Sequence, residues 1–219
     1  MGRLALATMV GYALGTAPSA ATAERFAGGG HDLTADGTGN PGAANAAQVL
    51  GAKWGIAVTV ADIAKAVVAA RLGRRLAGAH GANVAATMAV AGHCHPVGRR
   101  GGKGVAASVG QVIGTVPGYL PLDAATALIT AKLPFFRHRT RAATTAGSIV
   151  WVATTTVWWR RRWPNPGGPP VSWSLPAGAL VSSLVIAERF HAEVANVDAH
   201  LVAVAPGPAV AARATEPRA

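Results

Sequence analysis

Seven apolar runs constrain the fold of this chain more than any other feature. They are built mainly of Ala and Val, and most are bounded by polar stretches; they lie at 4–22, 54–70, 82–97, 105–119, 120–136, 145–159 and 174–190. A helix that crosses a membrane needs roughly 20 apolar residues. We therefore predict an all-α integral membrane fold, a bundle of about six to seven transmembrane helices with polar re-entrant loops on one face.

The charges support this prediction. Only 13% of the 219 residues are charged, whereas a soluble domain has about a quarter. The net charge is +11, and aromatic residues are not interleaved with the basic ones as a base-stacking surface requires. We expect membrane lipids as partners and no nucleic acid. The basic residues cluster between apolar runs, at Arg71, Arg74 and Arg75; Arg99, Arg100 and Lys103; Arg137, Arg139 and Arg141; and Arg160, Arg161 and Arg162.

The chain divides into one polytopic membrane domain, residues 1–205, and a Pro/Ala-rich tail, residues 206–219, which we predict to be disordered. The first run is interpreted as a transmembrane helix, with a signal peptide as the alternative. If the runs alternate sides, the loop at 37–45, the loop at 101–104 and His191 fall on one membrane face. Basic loops are normally cytoplasmic, and the clusters at 71–75 and 160–162 lie opposite, which conflicts with this count.

A glycine-rich stretch runs from Gly92 to Val105 and reads GHCHPVGRRGGKGV. Glycine lets backbone N–H groups converge on one point, and such a concavity binds anions. We predict that Lys103 and the neighbouring glycines hold a phosphate at the mouth of apolar helices; the alternative is a turn with solvated charges. A Walker loop is excluded, because Val97 takes the place of its first glycine and Gly104 that of its hydroxyl residue.

The loop at 36–45 reads DGTGNPGAAN and contains a G-x-G-x-x-G pattern. A dinucleotide fingerprint must follow a buried strand, and the preceding residues, 30–35, are not strand-like. We therefore interpret the segment as a polar re-entrant loop that offers hydrogen-bonding side chains, namely Thr38, Asn40 and Asn45.

Two further polar groups lie within or beside the runs. Asp62 and Lys65 are one helical turn apart, which predicts a local ion pair facing the bundle; a transport pathway is the weaker alternative. His93 and His95 have too few neighbouring ligands for zinc, so no metal is expected. Cys94 is the single cysteine and is expected to pack between helices.

These motifs together resemble the bacterial acyl-phosphate:glycerol-3-phosphate acyltransferases, the PlsY-like family. Its first motif, G-S-G-N-P-G-A-T-N, is similar to residues 37–45. Its second, G-H-x-x-P-V followed by G-G-K-G-V-A-T, is similar to residues 92–97 and 101–107. The third, R-H-x-x-N-x-x-R after the last span, is similar to the segment around His191, and Arg137-His138-Arg139 is a second, earlier match. The family's arginine that follows the first motif is replaced here by Gln48.

The resemblance implies acyl transfer from acyl phosphate to the sn-1 hydroxyl of glycerol 3-phosphate in a bacterial plasma membrane, giving lysophosphatidic acid for phospholipid synthesis without a cofactor. By position in the motifs, three residues are the catalytic candidates: Thr38, Asn45 and His191. Six are the substrate-binding candidates: Gly39, Asn40, Gly101, Gly102, Lys103 and Gly104. His138 is the alternative to His191. The other function considered is a catalytically degenerate relative that binds anionic lipid or phosphate.

Overall fold

The structure is a computed structural model that describes residues 1–133 and 139–204. Within these ranges every regular element is helical: α1 (Gly2–Gly15), α2 (Ser19–Ala27), α3 (Ala43–Val49), α4 (Ala52–Cys94), α5 (Val105–Thr115), a 3₁₀ turn (Pro117–Tyr119), α6 (Leu120–Lys132), α7 (Arg139–Arg161) and α8 (Ser174–Val204). The all-helical prediction is confirmed. His138 and the tail at 206–219 lie outside the described residues.

The long element α4 is a helical hairpin. Its backbone leaves helical geometry at Ala77 and Gly78, where Gly78 has a φ of +59°, a value that favours glycine. The first arm, residues 52–76, then lies antiparallel to the second arm, residues 79–94. Near the turn, Gly73 and Gly81 approach so closely that a Cβ on either would overlap the other's carbonyl oxygen. The runs predicted at 54–70 and 82–97 are therefore neighbours in space.

Helix α1 packs along the second arm of α4 through small residues. A Cβ added to Gly11 would overlap the backbone of Ala85, and one added to Gly15 would overlap that of Ala89. Such close backbone approach through Gly and Ala is typical of helix packing in membranes. The first apolar run, predicted as one helix over 4–22, is divided into α1 and α2 at Thr16–Pro18.

By length and composition, one stretch of the described residues is long and apolar enough to cross a bilayer, Gly2–Ala27. It lies at the N-terminus, where a signal sequence meets the same measure. The remaining helices are shorter, less apolar or more charged than that measure allows.

A small apolar core lies under the glycine-rich stretch. It joins the end of the second arm of α4 to α5 and α8, and it contains Val90, Cys94, Ala107, Ile186 and Phe190. Cys94 is buried in this core, in agreement with its expected packing role. The core fixes the end of α4 and the start of α5, between which the glycine-rich stretch runs, and packs them against α8.

Candidate functional site

Asn45, at the start of α3, organises the polar loop that precedes it. Its side-chain oxygen accepts a hydrogen bond from the backbone N–H of Thr38 at 2.8 Å. Its amide nitrogen donates to the carbonyl oxygens of Leu33 and Asp36, both at 3.0 Å. The side chain is buried, with 2% exposed. Because all its observed hydrogen bonds go to the loop, Asn45 sets the position of Thr38 and does not itself line a cavity.

The loop starts with a turn at Asp32. The Thr34 hydroxyl donates to the Asp32 carboxylate at 2.6 Å, and the Thr34 backbone N–H donates to the same oxygen at 2.8 Å. Because these hydrogen bonds favour the charged form, they lower the pKa of the exposed Asp32 carboxyl below its usual value. The turn therefore begins with a carboxylate that stays ionised at neutral pH.

The glycine-rich segment, defined here as residues 98–104, folds back onto the end of α4. The backbone N–H of Gly102 donates to the carbonyl oxygen of His93 at 3.1 Å. Gly101 lies against the carbonyl groups of His93 and Cys94 so closely that a Cβ would overlap them. Gly104 has a φ of +86° and forms the N-cap of α5. Backbone contact of this kind admits only glycine at these positions.

Arg189 of α8 holds this segment from the other side, and the sequence analysis missed it. Its Nη2 donates to the carbonyl oxygen of Gly101 at 2.7 Å, and its Nε donates to that of Gly102 at 3.2 Å. The signal in the sequence was a lone arginine at the end of the last apolar run. Because no motif residue stands at a fixed spacing from it, the sequence did not distinguish Arg189 from a solvated charge.

The two loops meet at a cavity of about 820 Å³, called here the main cavity. Five of the predicted site residues line it: Thr38, Gly39, Asn40, Gly101 and Lys103. It also contains His95 and three arginines, Arg99, Arg100 and Arg189. Lys103 is half-buried, and its ammonium lies 5.1 Å from the centre of the Phe190 ring. Among the described residues lining this cavity none is Asp or Glu, so its lining carries a net positive charge.

The other predicted site residues lie around this cavity. Gly102 and Gly104 are buried in the glycine-rich segment. His191 is exposed on α8 and does not belong to the lining; Nη2 of Arg141 lies 3.2 Å from its Nδ1 and 3.3 Å from its Nε2. Its part in the chemistry stays a prediction.

A second cavity of about 280 Å³ adjoins the first and is called here the inner cavity. The two share six residues: Thr34, Pro41, Pro96, Arg99, Arg100 and Gly101. The inner cavity ends at Asp62, Lys65 and His93, all buried. The Lys65 ammonium lies 2.9 Å from the Asp62 carboxylate, so the predicted pair forms and faces the bundle interior. Ser19 of α2 donates to the same carboxylate at 2.8 Å.

Within the part of the chain that the structure describes, no group of three or more His, Cys, Asp or Glu side chains is arranged to bind a metal ion. Asp62 and His93 both already have the Lys65 ammonium as a partner, at 2.9 Å in each case. The main cavity instead offers cations and the hydroxyl residue Thr38, a combination that suits phosphate.

Comparison with known proteins places this arrangement in a family. A family model described as glycerol-3-phosphate acyltransferase matches residues 5–198. Curated proteins named glycerol-3-phosphate acyltransferase are 36% identical over 130 residues in Thermoanaerobacter pseudethanolicus, 38% over 116 in Agrobacterium fabrum and 36% over 131 in Pseudomonas aeruginosa. These matches cover 58%, 52% and 58% of this chain. The chain spans 64%, 56% and 69% of the length of those relatives.

The fold also matches solved structures. The glycerol 3-phosphate form of PlsY (YgiH), described as an integral membrane glycerol 3-phosphate acyltransferase, superimposes with a TM-score of 0.68 at 23% identity. The match covers 90% of this chain and 92% of that one. The lysophosphatidic acid form gives 0.66 at 21% identity with the same coverage. The helical arrangement described above is therefore one that a known membrane enzyme adopts.

Proposed function

Because the chain belongs to the glycerol-3-phosphate acyltransferase family, we propose that it transfers a fatty acyl group from acyl phosphate to the sn-1 hydroxyl of glycerol 3-phosphate. The products are lysophosphatidic acid and inorganic phosphate. Curated relatives carry the acyltransferase name, and the two solved structures of similar fold are described with glycerol 3-phosphate and lysophosphatidic acid. The acyl-phosphate donor is inferred from the motifs shared with the PlsY-like family.

The main cavity carries this proposal. Both proposed substrates bring phosphate, and the cavity offers Lys103 and three arginines with no carboxylate in its described lining. Arginine and lysine form strong, charge-assisted hydrogen bonds with phosphate oxygens. The same cavity is lined by Thr38, an exposed residue whose hydroxyl makes no hydrogen bond within the described protein.

The chemistry requires few groups. The glycerol hydroxyl oxygen bonds to the acyl carbonyl carbon, the carbon–oxygen bond to phosphate breaks, and the phosphate leaves with the bonding electrons. Thr38 and backbone N–H groups of the loop donate to the carbonyl oxygen as negative charge develops on it. Lys103 and Arg189 stabilise the phosphate charge. His191 is the proposed acceptor of the hydroxyl proton, by its position in the third motif.

The exposed side chains of the helices support a location in the bacterial plasma membrane with several spans. Large apolar side chains lie on the outer faces of most of the longer helices, at Leu6, Met9, Ile56, Val60, Leu128, Ile129, Ile149, Val157, Leu180 and Leu184. A monomeric soluble protein rarely exposes apolar surface on this scale. A lipid environment would cover these faces and place the acyl chain beside the site.

One assay tests the proposed function. Purified full-length protein in detergent is given acyl phosphate and glycerol 3-phosphate, and both phosphate release and lysophosphatidic acid are measured. We expect the two products in equal amounts, and neither when glycerol 3-phosphate is omitted. The double variant Lys103→Met with Arg189→Met serves as the control and should form both products more slowly at low glycerol 3-phosphate, because substrate binding is weakened. Tight phosphate binding without any product would instead favour the alternative, a degenerate relative that only binds phosphate or anionic lipid.

A further inference from the structure

The buried ammonium of Lys65 has three N–H donors, and three acceptors lie around it. The Asp62 carboxylate oxygen is 2.9 Å away, Nδ1 of His93 is 2.9 Å away, and the carbonyl oxygen of Ala17 is 3.4 Å away. An ammonium group has no acceptor capacity. Each of the three neighbouring atoms therefore has to accept a hydrogen bond from Lys65.

This arrangement fixes the tautomer of His93. If Nδ1 accepts from Lys65, the imidazole proton must be on Nε2. A proton on Nδ1 would instead have to serve the Asp62 oxygen at 3.4 Å and would place an N–H against the ammonium only 2.9 Å away. That N–H would point toward a cation at hydrogen-bond distance, so the Lys65 ammonium would lose one of its three acceptors, which costs more than one long hydrogen bond to Asp62 returns.

The Nε2 edge of the same ring faces the glycine-rich segment. His93 lines the inner cavity and has about 9% of its surface exposed. A Cβ placed on Gly102 would meet Nε2 and its two neighbouring ring carbons, so this edge lies directly beside Gly102. Arg99 and Arg100 line the same space, where each donates to a loop carbonyl, of Thr16 and Thr34 respectively.

The two carboxylates that line the inner cavity already accept hydrogen bonds from other groups of the protein. Asp62 accepts from Lys65 and Ser19, and Glu24 accepts the backbone N–H of Leu33 at 2.6 Å. We propose that the inner cavity is a phosphate subsite in which His93 acts as a fixed Nε2–H donor to a phosphate oxygen. Lys65 and Asp62 serve as positioning residues that hold the ring in this tautomer.

This inference rests on the proposed function and extends it. The reaction handles two phosphate groups, one on each substrate, and the main cavity with Lys103 and Arg189 accounts for one of them. The inner cavity adjoins it through shared residues. A neutral imidazole held as a donor binds the phosphate without taking a proton from it, so His93 differs in role from a general base.

Two substitutions at position 93 separate the ring nitrogens. In His93→Asn the amide reaches the position of Nδ1, so an acceptor for Lys65 is kept and the distal donor is lost. In His93→Gln the amide N–H₂ reaches the position of Nε2, so the distal donor is kept. Binding of inorganic phosphate and of glycerol 3-phosphate is measured by calorimetry on full-length protein in detergent. The midpoint of thermal unfolding is measured for every variant.

We expect His93→Asn to weaken phosphate binding about tenfold, as loss of a hydrogen bond to a charged group does, and His93→Gln to stay within about threefold of the unsubstituted protein. Equal affinity in the Asn variant overturns the proposal. Equal weakening in both variants at unchanged thermal stability overturns it as well, since the donor position would then not matter.

Nitrogen NMR of the histidine rings gives a test that needs no binding. In the unsubstituted protein the His93 signals, identified by their absence in whichever variant folds, should show a protonated Nε2 and an unprotonated Nδ1. The opposite tautomer, or a doubly protonated ring, overturns the proposal. His93-dependent phosphate binding in a protein without turnover would count against the proposed function alone. Turnover with unchanged binding in His93→Asn would count against this inference alone.

Discussion

Nη2 of Arg189 lies 2.7 Å from the carbonyl oxygen of Gly101, so the end of α8 is attached to the glycine-rich segment through the backbone of that segment. A second donor of the same guanidinium reaches Gly102. This fork holds two successive carbonyl groups against α8, while the N–H of Gly102 is held by the carbonyl oxygen of His93, so the segment is fixed from two sides.

Replacing Arg189 should weaken substrate binding by loosening this segment. We expect Arg189→Met to raise the KM for glycerol 3-phosphate about tenfold, because two hydrogen bonds and one charge are lost. The KM of Arg189→Lys should lie between those of the unsubstituted protein and Arg189→Met, since lysine keeps the charge but not the planar fork. Arg160→Met, at the exposed end of α7, is the matched control. An Arg189→Met enzyme with the same KM as that control would contradict the assignment.

Lys103 tests the phosphate role directly. Lys103→Met keeps the aliphatic stem while removing the charge and its cation–π contact with Phe190. A hydrogen bond to a charged group contributes about 1.5–3 kcal/mol, so the KM for glycerol 3-phosphate should rise about tenfold or more, with a smaller change in kcat. Lys132→Met removes an exposed charge on α6 and should change neither constant. Unchanged kinetics at both positions would reduce Lys103 to a solvated loop charge.

Thr38 is expected to act through its hydroxyl. Thr38→Val keeps the shape and removes the donor, and kcat should fall about 100-fold if this hydroxyl stabilises the developing oxyanion. Thr38→Ser restores the hydroxyl and should recover most of the rate. Initial rates of lysophosphatidic acid formation measure both. A Val variant as fast as the Ser variant would show that the hydroxyl takes no part.

We expect substitution of Asn45 to lower the free energy of unfolding more than it weakens substrate binding. Asn45→Asp keeps the acceptor for Thr38 but turns the buried N–H₂ donor into an oxygen facing the carbonyls of Leu33 and Asp36. We expect a loss of about 1–3 kcal/mol in the free energy of unfolding. Gln48→Glu makes the same amide-to-acid change at an exposed position of α3 and should have little effect. Thermal unfolding in detergent compares the two.

Membrane insertion has its own test. Because apolar side chains cover the outer faces of the helices, the protein should stay in the membrane pellet after extraction with carbonate at high pH. A peripheral protein of known behaviour, carried through the same extraction, is the control. Full release of this chain into the supernatant would contradict a multi-span location.

The sequence indicated where the two polar loops lie because both are rich in glycine. Only glycine tolerates the backbone contacts at Gly101 and the left-handed conformation at Gly104, so the chemistry of the loops is visible in the residue types themselves. The same holds for Asp62 and Lys65, whose spacing on one helix face predicts their contact.

The contacts of Arg189 and His93 could not be predicted in this way. Arg189 binds the carbonyl oxygens of Gly101 and Gly102, and His93 contacts Lys65. These partners are far away in the sequence, and a backbone carbonyl leaves no trace in the residue type. The placement of His191 depends likewise on how α8 rotates against α7, where Arg141 is its neighbour. Rotation of a helix about its axis is set by packing, not by the length of an apolar run.

The hairpin form of α4 determines which residues meet at the closed end of the inner cavity. Asp62 and Lys65 are on one arm and His93 is on the other, so their contact depends on the number of helical turns on each side of Gly78. One residue added within an arm would rotate everything beyond it by about 100° and separate Lys65 from His93. Related chains should therefore vary in length at the turn and hardly at all between it and these residues.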